Sequence, residues 1–402
     1  MRAYLNFLRK PYAARLLGGT LLGRLPNGMA ALAIVLFVRG HGGGYTLSGV
    51  LSAVYGLAMA AGQPVLGRAM DRYGQPRILA SAAMAAAAGF ALLAVFGVRS
   101  PAIATAAVVL AGFATPPLEA GLRALWPSVL NGPAEVQAAY ALDAAAQELL
   151  FTFGPMLVIA ATVVSTEAAL LLTGALGVAG TLVVTTSRPS RVWRGEQGGG
   201  HWAGPLRSPG IRILIISLTC VGVSLGVFSV AVVAYADARH ASYASGLLLA
   251  LMSAGALTGG ITYGLRPRTG PAHRRLVLLM AGLAAGYLPL TWAPGLLVMP
   301  VLALASGVFL APVLACTFTL VDDLAPRGTV TEAFAWLVTA FGVGSSVGAA
   351  LAGLASDAGG VHAAFAVAGA GGVLALLVIL LAGPIGARRQ TENREVPDVV
   401  SF

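Results

Sequence analysis

Long apolar runs dominate this sequence and set the main limit on its fold. A helix needs about 17 to 25 residues to cross ~30 Å of hydrocarbon, and runs of this length follow one another along the chain. We place twelve of them, at approximate positions 14–38, 45–66, 78–98, 102–122, 137–162, 167–186, 211–236, 242–264, 276–293, 296–320, 329–355 and 361–383. Backbone groups in hydrocarbon must bond within their own segment. The runs therefore predict an all-α polytopic membrane protein with twelve transmembrane helices.

Composition excludes the soluble classes. Hydrophobic residues make up 57% of the chain and charged residues 10%, whereas soluble domains carry about a quarter charged residues. The first apolar run is long enough to remain as an anchor, so we expect no cleaved leader. The net charge of +10 is spread over short connections rather than one basic face, which argues against nucleic acid as a partner. Cys220 and Cys316 lie in separate apolar runs and predict neither a disulfide nor a metal site.

The distribution of arginine predicts the orientation in the membrane. An even number of spans puts both termini on one side. Arg39, Arg99 and Arg239 fall in the opposite set of connections, and nearly all other basic residues fall with the termini. Because basic residues favour the inner side, both termini are expected to be cytoplasmic. The Ala- and Gly-rich composition, with arginine in place of nearly all lysine, is typical of a GC-rich bacterial genome and suggests a bacterial cytoplasmic membrane.

The longest polar connection, residues 187–209, divides the spans into two groups of six. Its glycine content, with Gly198, Gly199 and Gly200 in succession, predicts a flexible tether. A short amphipathic surface helix around Val192 and Trp193 is the alternative. The expected organisation is an N-terminal six-helix half at 1–186, a cytoplasmic linker at 187–209, a C-terminal six-helix half at 210–383 and a cytoplasmic tail at 384–402.

A polar stretch separates the second and third apolar runs. Its glycines and charges predict a tight turn at the level of the lipid headgroups, where arginine meets anionic lipid. Within it, five residues stand at fixed spacing: Gly67, Asp71, Arg72, Gly74 and Arg77. This pattern resembles the loop between the second and third helices of the major facilitator superfamily. The corresponding connection of the second half, 264–270, lacks the acidic residue.

The resemblance implies a fold and a role for this stretch. The fold has two six-helix halves related by an axis along the membrane normal, with the substrate path between them near the midplane. The resemblance also implies that Asp71 docks near the start of the eleventh helix, around Thr331 and Glu332, as part of a conformational latch. The expected latch comprises Gly67, Asp71, Arg72, Gly74, Arg77, Glu119 and Arg123. Of these, Glu119 and Arg123 are four residues apart on the fourth helix and are expected to pair with each other or with the charges at 71–72.

Three ionisable residues lie inside the first and fifth spans, where a charge costs roughly 2.5 to 3.5 kcal/mol on insertion. Arg24 and Glu148 are at similar depth, and Asp143 lies nearer the cytoplasm. We predict that Glu148, with Asp143, binds and releases a proton while Arg24 pairs with the free carboxylate and tunes its proton affinity. A fixed bridge between Arg24 and Glu148 is the alternative, and Asp143 could simply be hydrated.

Glycine and proline positions predict bends and close packing. The segment 150–155, which contains Gly154 and Pro155, resembles the fifth-helix motif of superfamily antiporters. It predicts a hinge or seal between the halves, with an ordinary proline kink as the alternative. Gly344 and Gly348 have the small-xxx-small spacing that permits close helix contact. The resemblance places this helix across from the second one, and tight packing without motion is the alternative.

The resemblance to the superfamily implies a secondary active transporter that works by alternating access. The chain is similar to bacterial drug or sugar efflux permeases of the superfamily, which implies export of a small organic molecule in exchange for protons. The second half has no charge near the midplane, and its aromatic residues favour an amphipathic substrate. Expected partners are this substrate, protons and membrane lipids, and the expected state is a monomer without a cofactor or metal.

Other functions stay open at this point. Proton-coupled import or facilitated diffusion of a nutrient such as a sugar uses the same motifs. A non-transporting sensor or a multispan enzyme would belong to a different class. A membrane enzyme needs a catalytic cluster at one face, and an ATP-driven pump needs a glycine-rich phosphate-binding loop. The sequence contains neither pattern, so we do not expect an enzyme.

Overall fold

The computed structural model describes residues 10–195, 203–241, 243–265 and 270–383. All regular structure in these residues is helical. The helices are α1 Ala13–Gly40, α2 Tyr45–Tyr73, α3 Gln75–Phe96, α4 Pro101–Phe113, α5 Leu118–Val129, α6 Pro133–Thr162, α7 Thr166–Thr185, α8 Arg188–Val192, α9 Pro209–Ala238, α10 Tyr243–Leu265, α11 Ala272–Tyr287, α12 Met299–Gly307, α13 Leu310–Leu324 and α14 Val330–Leu381. Short 3₁₀ helices form at Gly204–Arg207 and Leu288–Trp292.

The number of membrane spans agrees with the sequence prediction. In the described residues, 11 helical segments are long and apolar enough to cross a membrane. The longest, Val330–Leu381, is two helices joined at Gly359 and Gly360, whose dihedral angles are not helical. This break falls between the predicted eleventh and twelfth spans. The prediction of an all-α fold with twelve spanning helices is therefore confirmed.

The polar stretch at 67–77 is mostly helical, and here the predicted boundary was wrong. Helix α2 runs on to Tyr73, and the turn to α3 consists of Gly74 alone. Gly74 has φ 90°, a conformation that glycine adopts without strain. No residue that breaks helices stands between Gly67 and Tyr73, so backbone hydrogen bonding continues past the apolar run. The charges of the stretch therefore project from a rigid helix end.

Two spans are interrupted by proline. The predicted fourth helix, 102–122, is divided at Ala114–Pro117 into α4 and α5 and continues to Val129. Pro116 and Pro117 provide no backbone N–H, which ends α4. In the tenth span, α12 and α13 are separated at Val308 and Phe309 because the ring of Pro312 conflicts with a helical carbonyl four residues earlier.

Glycines set the close approach of several helix pairs. A Cβ added at Gly344 would lie 2.1 Å from the carbonyl oxygen of Thr219, and one at Gly348 would lie 2.2 Å from that of Val223. Both glycines therefore pack against α9. The start of α14 packs against α2, where a Cβ added at Gly67 would lie 3.0 Å from the Cβ of Ala335. The helix that carries the glycine pair thus has two packing partners along its length.

Substitution of these glycines is expected to destabilise the α9–α14 contact. A methyl group at Gly344 or Gly348 meets backbone oxygen that cannot rotate away, so Gly344→Ala and Gly348→Ala should each cost about 1 to 3 kcal/mol. The measurement is the thermal unfolding midpoint of the detergent-solubilised protein. Gly342→Ala is the matched control, because a Cβ there meets no atom within 4 Å. Equal midpoints for Gly342→Ala and Gly344→Ala would contradict this packing.

Candidate functional site

Four charged side chains meet inside the first six spans. They are Arg24 on α1, Glu119 and Arg123 on α5, and Asp143 on α6, and we refer to them as the charge cluster. Their exposed fractions are 3%, 8%, 0% and 0% respectively. Two positive and two negative charges make the cluster neutral overall, which is what makes its burial tolerable.

Each arginine of the cluster bridges both carboxylates. Arg24 Nη1 lies 2.9 Å from Asp143 Oδ1, and its Nη2 lies 2.7 Å from Glu119 Oε2. Arg123 Nε donates to Asp143 Oδ2 at 2.9 Å, and Arg123 Nη2 pairs with Glu119 Oε1. Loss of one carboxylate charge would therefore weaken the hold on both arginines at once.

Local sequence explains why these residues meet. The four-residue spacing of Glu119 and Arg123 places both on one face of α5. Helices α1 and α6 approach closely where Gly28 faces Gly154, since a Cβ on Gly28 would lie 2.4 Å from the Leu150 carbonyl oxygen. Gly154 thus serves a backbone-to-backbone contact. Helix α6 continues through Pro155 to Thr162, and the hinge or seal predicted at this pair stays a prediction.

The guanidinium group of Arg123 also contacts the last six spans. Its Cζ lies 3.5 Å from the ring centroid of Phe318 on α13, a cation–π arrangement. Within the described residues, Arg123 Nη1 and Arg24 Nε are buried without a hydrogen-bond partner. The charge cluster is therefore not fully satisfied by its own ion pairs, and it touches the partner half through Arg123.

Tyr140 forms a second link between the two groups of spans. Its hydroxyl donates to Asp322 Oδ2 at 2.6 Å and lies 3.3 Å from the Arg123 carbonyl oxygen. Its ring centroid lies 6.1 Å from that of Phe318 and 5.9 Å from that of Phe334. Sequence analysis missed Tyr140. Its position three residues before Asp143, which puts both on one face of α6, was the available signal.

A double-mutant cycle measures the Tyr140–Asp322 link. Tyr140→Phe keeps the ring and removes the donor to a partly buried carboxylate, and Asp322→Asn removes the charge. We expect the two substitutions to be coupled by about 1.5 to 3 kcal/mol, the usual range for a hydrogen bond to a charged group. The free energies of unfolding in detergent of the two single variants and the double variant give the coupling directly. Additive effects would contradict a direct bond.

The predicted partner of Arg24 falls partly outside the described structure. The backbone of Glu148 belongs to α6, but its side chain is not among the described residues, so the predicted Arg24–Glu148 pair is not described. In the described residues Arg24 contacts Asp143 and Glu119, and its Nη2 donates to Gln147 Oε1 at 3.0 Å. The sequence left open the alternative that Asp143 is hydrated. This alternative was wrong, because the side chain is fully buried and pairs with Arg24 on α1 and Arg123 on α5.

Asp71 forms a separate contact between the two groups of spans. Its Oδ1 accepts the backbone N–H of Thr331 at 3.1 Å, and its Oδ2 accepts that of Glu332 at 2.8 Å. The carboxylate therefore caps the N-terminus of α14, where unpaired N–H groups and the helix dipole favour a negative charge. These are the residues near which the resemblance placed it. We call this end of the bundle the Asp71 end.

Arg68 strengthens the same contact and was absent from the predicted latch. Its Nε donates to Glu332 Oε2 at 2.9 Å and its Nη2 to Glu332 Oε1 at 2.7 Å, a bidentate pair. Arg68 precedes Asp71 by three residues on the same helix face. Of the other predicted latch residues, Gly67 packs against α14 and Gly74 forms the turn, whereas Arg72 and Arg77 are exposed. Glu119 and Arg123 pair with each other and with the charge cluster, not with residues 71–72.

Comparison with known proteins identifies the family. The family model described as the Major Facilitator Superfamily matches residues 16–331 and 272–401. The chain belongs to the major facilitator superfamily. It is therefore a multi-pass membrane transporter that binds a small-molecule substrate, and not an enzyme. Among curated proteins, none matches the sequence.

Solved structures of superfamily transporters have the same fold. The human organic anion transporter MFSD10 (TETRAN) is 18% identical with TM-score 0.69, over 92% of this chain and 100% of that one. A bacterial homologue of the iron transporter ferroportin in an outward-facing state is 18% identical with TM-score 0.73, over 92% and 98%. The superfamily transporter FucP in the outward conformation is 13% identical with TM-score 0.69, over 92% and 98%. At these identities the likeness concerns the fold alone.

Proposed function

We propose that this superfamily member is a proton-driven exporter of a small amphipathic organic molecule. The observation that supports the proposal most strongly is the charge cluster, in which Asp143 is fully buried and shared by two arginines. Buried ion pairs add little net stability, so a cluster of this kind is better explained by a role in proton exchange than by structural support. The cluster also reaches the other half of the molecule through Arg123 and Phe318.

The contacts between the first and last six spans support a state that is closed at the Asp71 end. Besides the Asp71 and Tyr140 contacts, Arg275 Nη1 donates to Gln137 Oε1 at 3.3 Å. Thr339 Oγ1 donates to the Ala60 carbonyl oxygen at 3.1 Å, about halfway along α2. On the far half of the same helix, a Cβ added at Gly49 or Gly56 meets no atom within 4 Å. We propose that the substrate path opens on that side.

Arginine distribution supports the direction of this opening. In the sequence, most basic residues fall in the same set of connections as residues 67–77, and from the positive-inside rule we infer that the Asp71 end faces the cytoplasm. With this proposed orientation, the described state is closed toward the cytoplasm, and it is the state from which an exporter would take up protons after releasing its substrate. Two of the structurally similar transporters were also solved in outward states.

Proton binding at Asp143 would couple chemistry to opening in this scheme. A proton on the carboxylate removes the charge that holds Arg24 and Arg123. Arg123 then loses its fixed position against Phe318, and the closed side is weakened. Glu148, five residues further along α6, stays our candidate for passing the proton to or from Asp143. Release of this proton to the cytoplasm restores the negative charge of Asp143, and the charge cluster forms again.

The walls of the path favour an amphipathic substrate. Within the described residues of the last six spans, the charged side chains lie toward helix ends, as Asp237, Asp322 and Glu332 do. Phe318 and Phe334 are buried in the contact between the two groups of spans. Phe341 and Trp336 remain partly exposed on α14. A site with few polar groups suits a substrate with a large apolar surface.

Transport in proteoliposomes tests the proposal. Vesicles that contain a pH-sensitive dye are exposed to cationic, neutral and anionic amphiphiles and to simple sugars. A substrate should drive proton movement opposite to its own in the wild-type protein, and Asp143→Asn should keep substrate exchange while losing the proton signal. Co-directional movement of substrate and protons would favour the importer alternative. Transport without any proton movement would make the protein a facilitator and refute the coupling role.

A further inference from the structure

A basic cleft lies at the Asp71 end, on the surface beside the α2–α3 turn. Its walls are Tyr73 at the end of α2, Pro76 and Arg77 at the start of α3, and Arg191 and Arg194 from the segment that follows the sixth span. Its volume is about 280 Å³. The charge cluster and the α2–α14 contact use none of these side chains, so the transport scheme leaves the cleft without a role.

The elements that carry the cleft are fixed in place. Ser190 of the short helix α8 is buried, and its Oγ lies 3.4 Å from Gln75 Oε1. Gln75 Nε2 in turn donates to the Gly121 carbonyl oxygen at 3.0 Å. Gly195 lies against the backbone of Asp71, since a Cβ there would be 2.3 Å from the Asp71 carbonyl oxygen. The segment 188–195 is thus packed on the turn and on α5.

The guanidinium group of Arg194 is also oriented. Its Nη1 donates to the Arg191 carbonyl oxygen at 2.9 Å and to the Trp193 carbonyl oxygen at 2.8 Å. These bonds hold the positive charge at the cleft, where a freely moving side chain would turn toward bulk water. A fixed planar fork of N–H donors matches the geometry of a phosphate group.

Among the described residues, no carboxylate balances the positive charge of the cleft. Three arginines line it, and no carboxylate is among the described residues that do so. The salt bridges of the described part of the chain involve none of Arg77, Arg191 and Arg194. Like charges held this close favour a bound anion that neutralises them. Planar guanidinium groups match the geometry of a phosphate group.

We propose that this cleft binds the phosphate of an anionic phospholipid headgroup. The exposed apolar side chains at its border favour a lipid over a free ion, because Tyr73 is 62% and Val192 68% exposed and both can contact acyl chains. A bound headgroup bridges α3 and the 188–195 segment. Since Gly195 rests on the Asp71 backbone, the lipid also stabilises the helix end that caps α14. Anionic lipid therefore favours the state closed at the Asp71 end.

Lipid retention by the full-length protein tests the site. The purified protein is titrated with phosphatidylglycerol, and bound lipid is counted by native mass spectrometry. Each basic residue near an anionic headgroup contributes about 1 kcal/mol, or roughly fivefold in affinity. The triple variant Arg77→Gln, Arg191→Gln, Arg194→Gln should therefore weaken binding roughly a hundredfold. These side chains are exposed, so the variant should fold, which its unfolding midpoint can verify.

A second triple variant provides the matched control. It removes the same charge from exposed positions in the second half of the chain: Arg207→Gln, Arg212→Gln and Arg274→Gln. Because these residues do not line the cleft, phosphatidylglycerol binding should stay within about twofold of the wild-type value. Equal loss in both triple variants would overturn the proposal, since it would reduce the effect to general surface charge. Inorganic phosphate, added to the lipid-bound protein at a concentration equal to that of the lipid, should fail to displace the lipid. Displacement by phosphate at that concentration would overturn the assignment to a lipid.

Discussion

Arg123→Ala is expected to lose about 3 to 5 kcal/mol of the free energy of unfolding, because it leaves buried carboxylates without one of their two partners. Asp143 and Glu119 would then share Arg24 alone. The cation–π contact with Phe318 would be lost as well. Thermal and denaturant unfolding in detergent measure the change. Lowering the pH should recover part of the loss in this variant, because a protonated carboxyl group no longer needs the missing charge.

Arg15→Ala is the matched control for this prediction. Arg15 lies on α1 and is exposed, with its Nε donating to the Val183 carbonyl oxygen at 3.2 Å and its Nη2 to Thr186 Oγ1 at 2.7 Å. Removal of an exposed side chain should change the free energy of unfolding by roughly 0.5 kcal/mol or less. If Arg123→Ala were no more destabilising than Arg15→Ala, the charge cluster would not be formed as described.

Asp71→Asn is expected to shift the equilibrium away from the state closed at the Asp71 end. The amide keeps the shape of the side chain but loses the negative charge that caps α14 through Thr331 and Glu332. Hydrogen bonds to a charged group contribute about 1.5 to 3 kcal/mol, so the ratio of closed to open molecules should fall by roughly tenfold to a hundredfold. Spin labels at Ser128 on α5 and Arg274 on α11, both exposed, measure the distance between the two groups of spans at the Asp71 end. Cys220 and Cys316 are replaced first so that only these two positions are labelled.

Arg72→Gln is the matched control for Asp71→Asn. This residue neighbours Asp71 but is exposed, so its substitution should leave the distance distribution close to wild type. Arg68→Gln should resemble Asp71→Asn, because it breaks the bidentate pair with Glu332. A distance distribution in Asp71→Asn identical to that of wild type would mean that Asp71 marks the turn without controlling the opening.

The spans were predictable because the bilayer imposes a length on every apolar helix, and this constraint acts through composition alone. Boundaries were harder where backbone chemistry overrides hydropathy. Gly74 ends α2 only after the polar residues 67–73, and Pro116 and Pro117 interrupt an otherwise continuous apolar run. Both features are visible in the sequence, but hydropathy gives them no weight. Glycine conformation and missing N–H donors decide them instead.

The candidate site was only partly predictable. Depth along a helix follows from counting residues, so Arg24 and Asp143 could be identified as intramembrane charges. Rotation about each helix axis depends on packing against neighbours, and that decides which charges meet. Arg123 lies on α5, beyond the Pro116–Pro117 break, and reaches Asp143 on α6, while α1 comes close to α6 at Gly28 and Gly154. Tyr140 acquires its partner Asp322 only through contact between the two groups of spans.

The proposed coupling between proton binding and opening is tested most directly by the same label pair, Ser128 and Arg274, measured as the pH is lowered. Asp143 faces Arg24 from α1 and Arg123 and Glu119 from α5, so a proton on this cluster releases both arginines. As the pH falls, the wild-type distance distribution should move toward the longer distances of the form that is open at the Asp71 end. Asp143→Asn should populate the open form at every pH. A wild-type distribution that does not change with pH, with Asp143→Asn still closed, would contradict the coupling and leave the charge cluster as a fixed structural element.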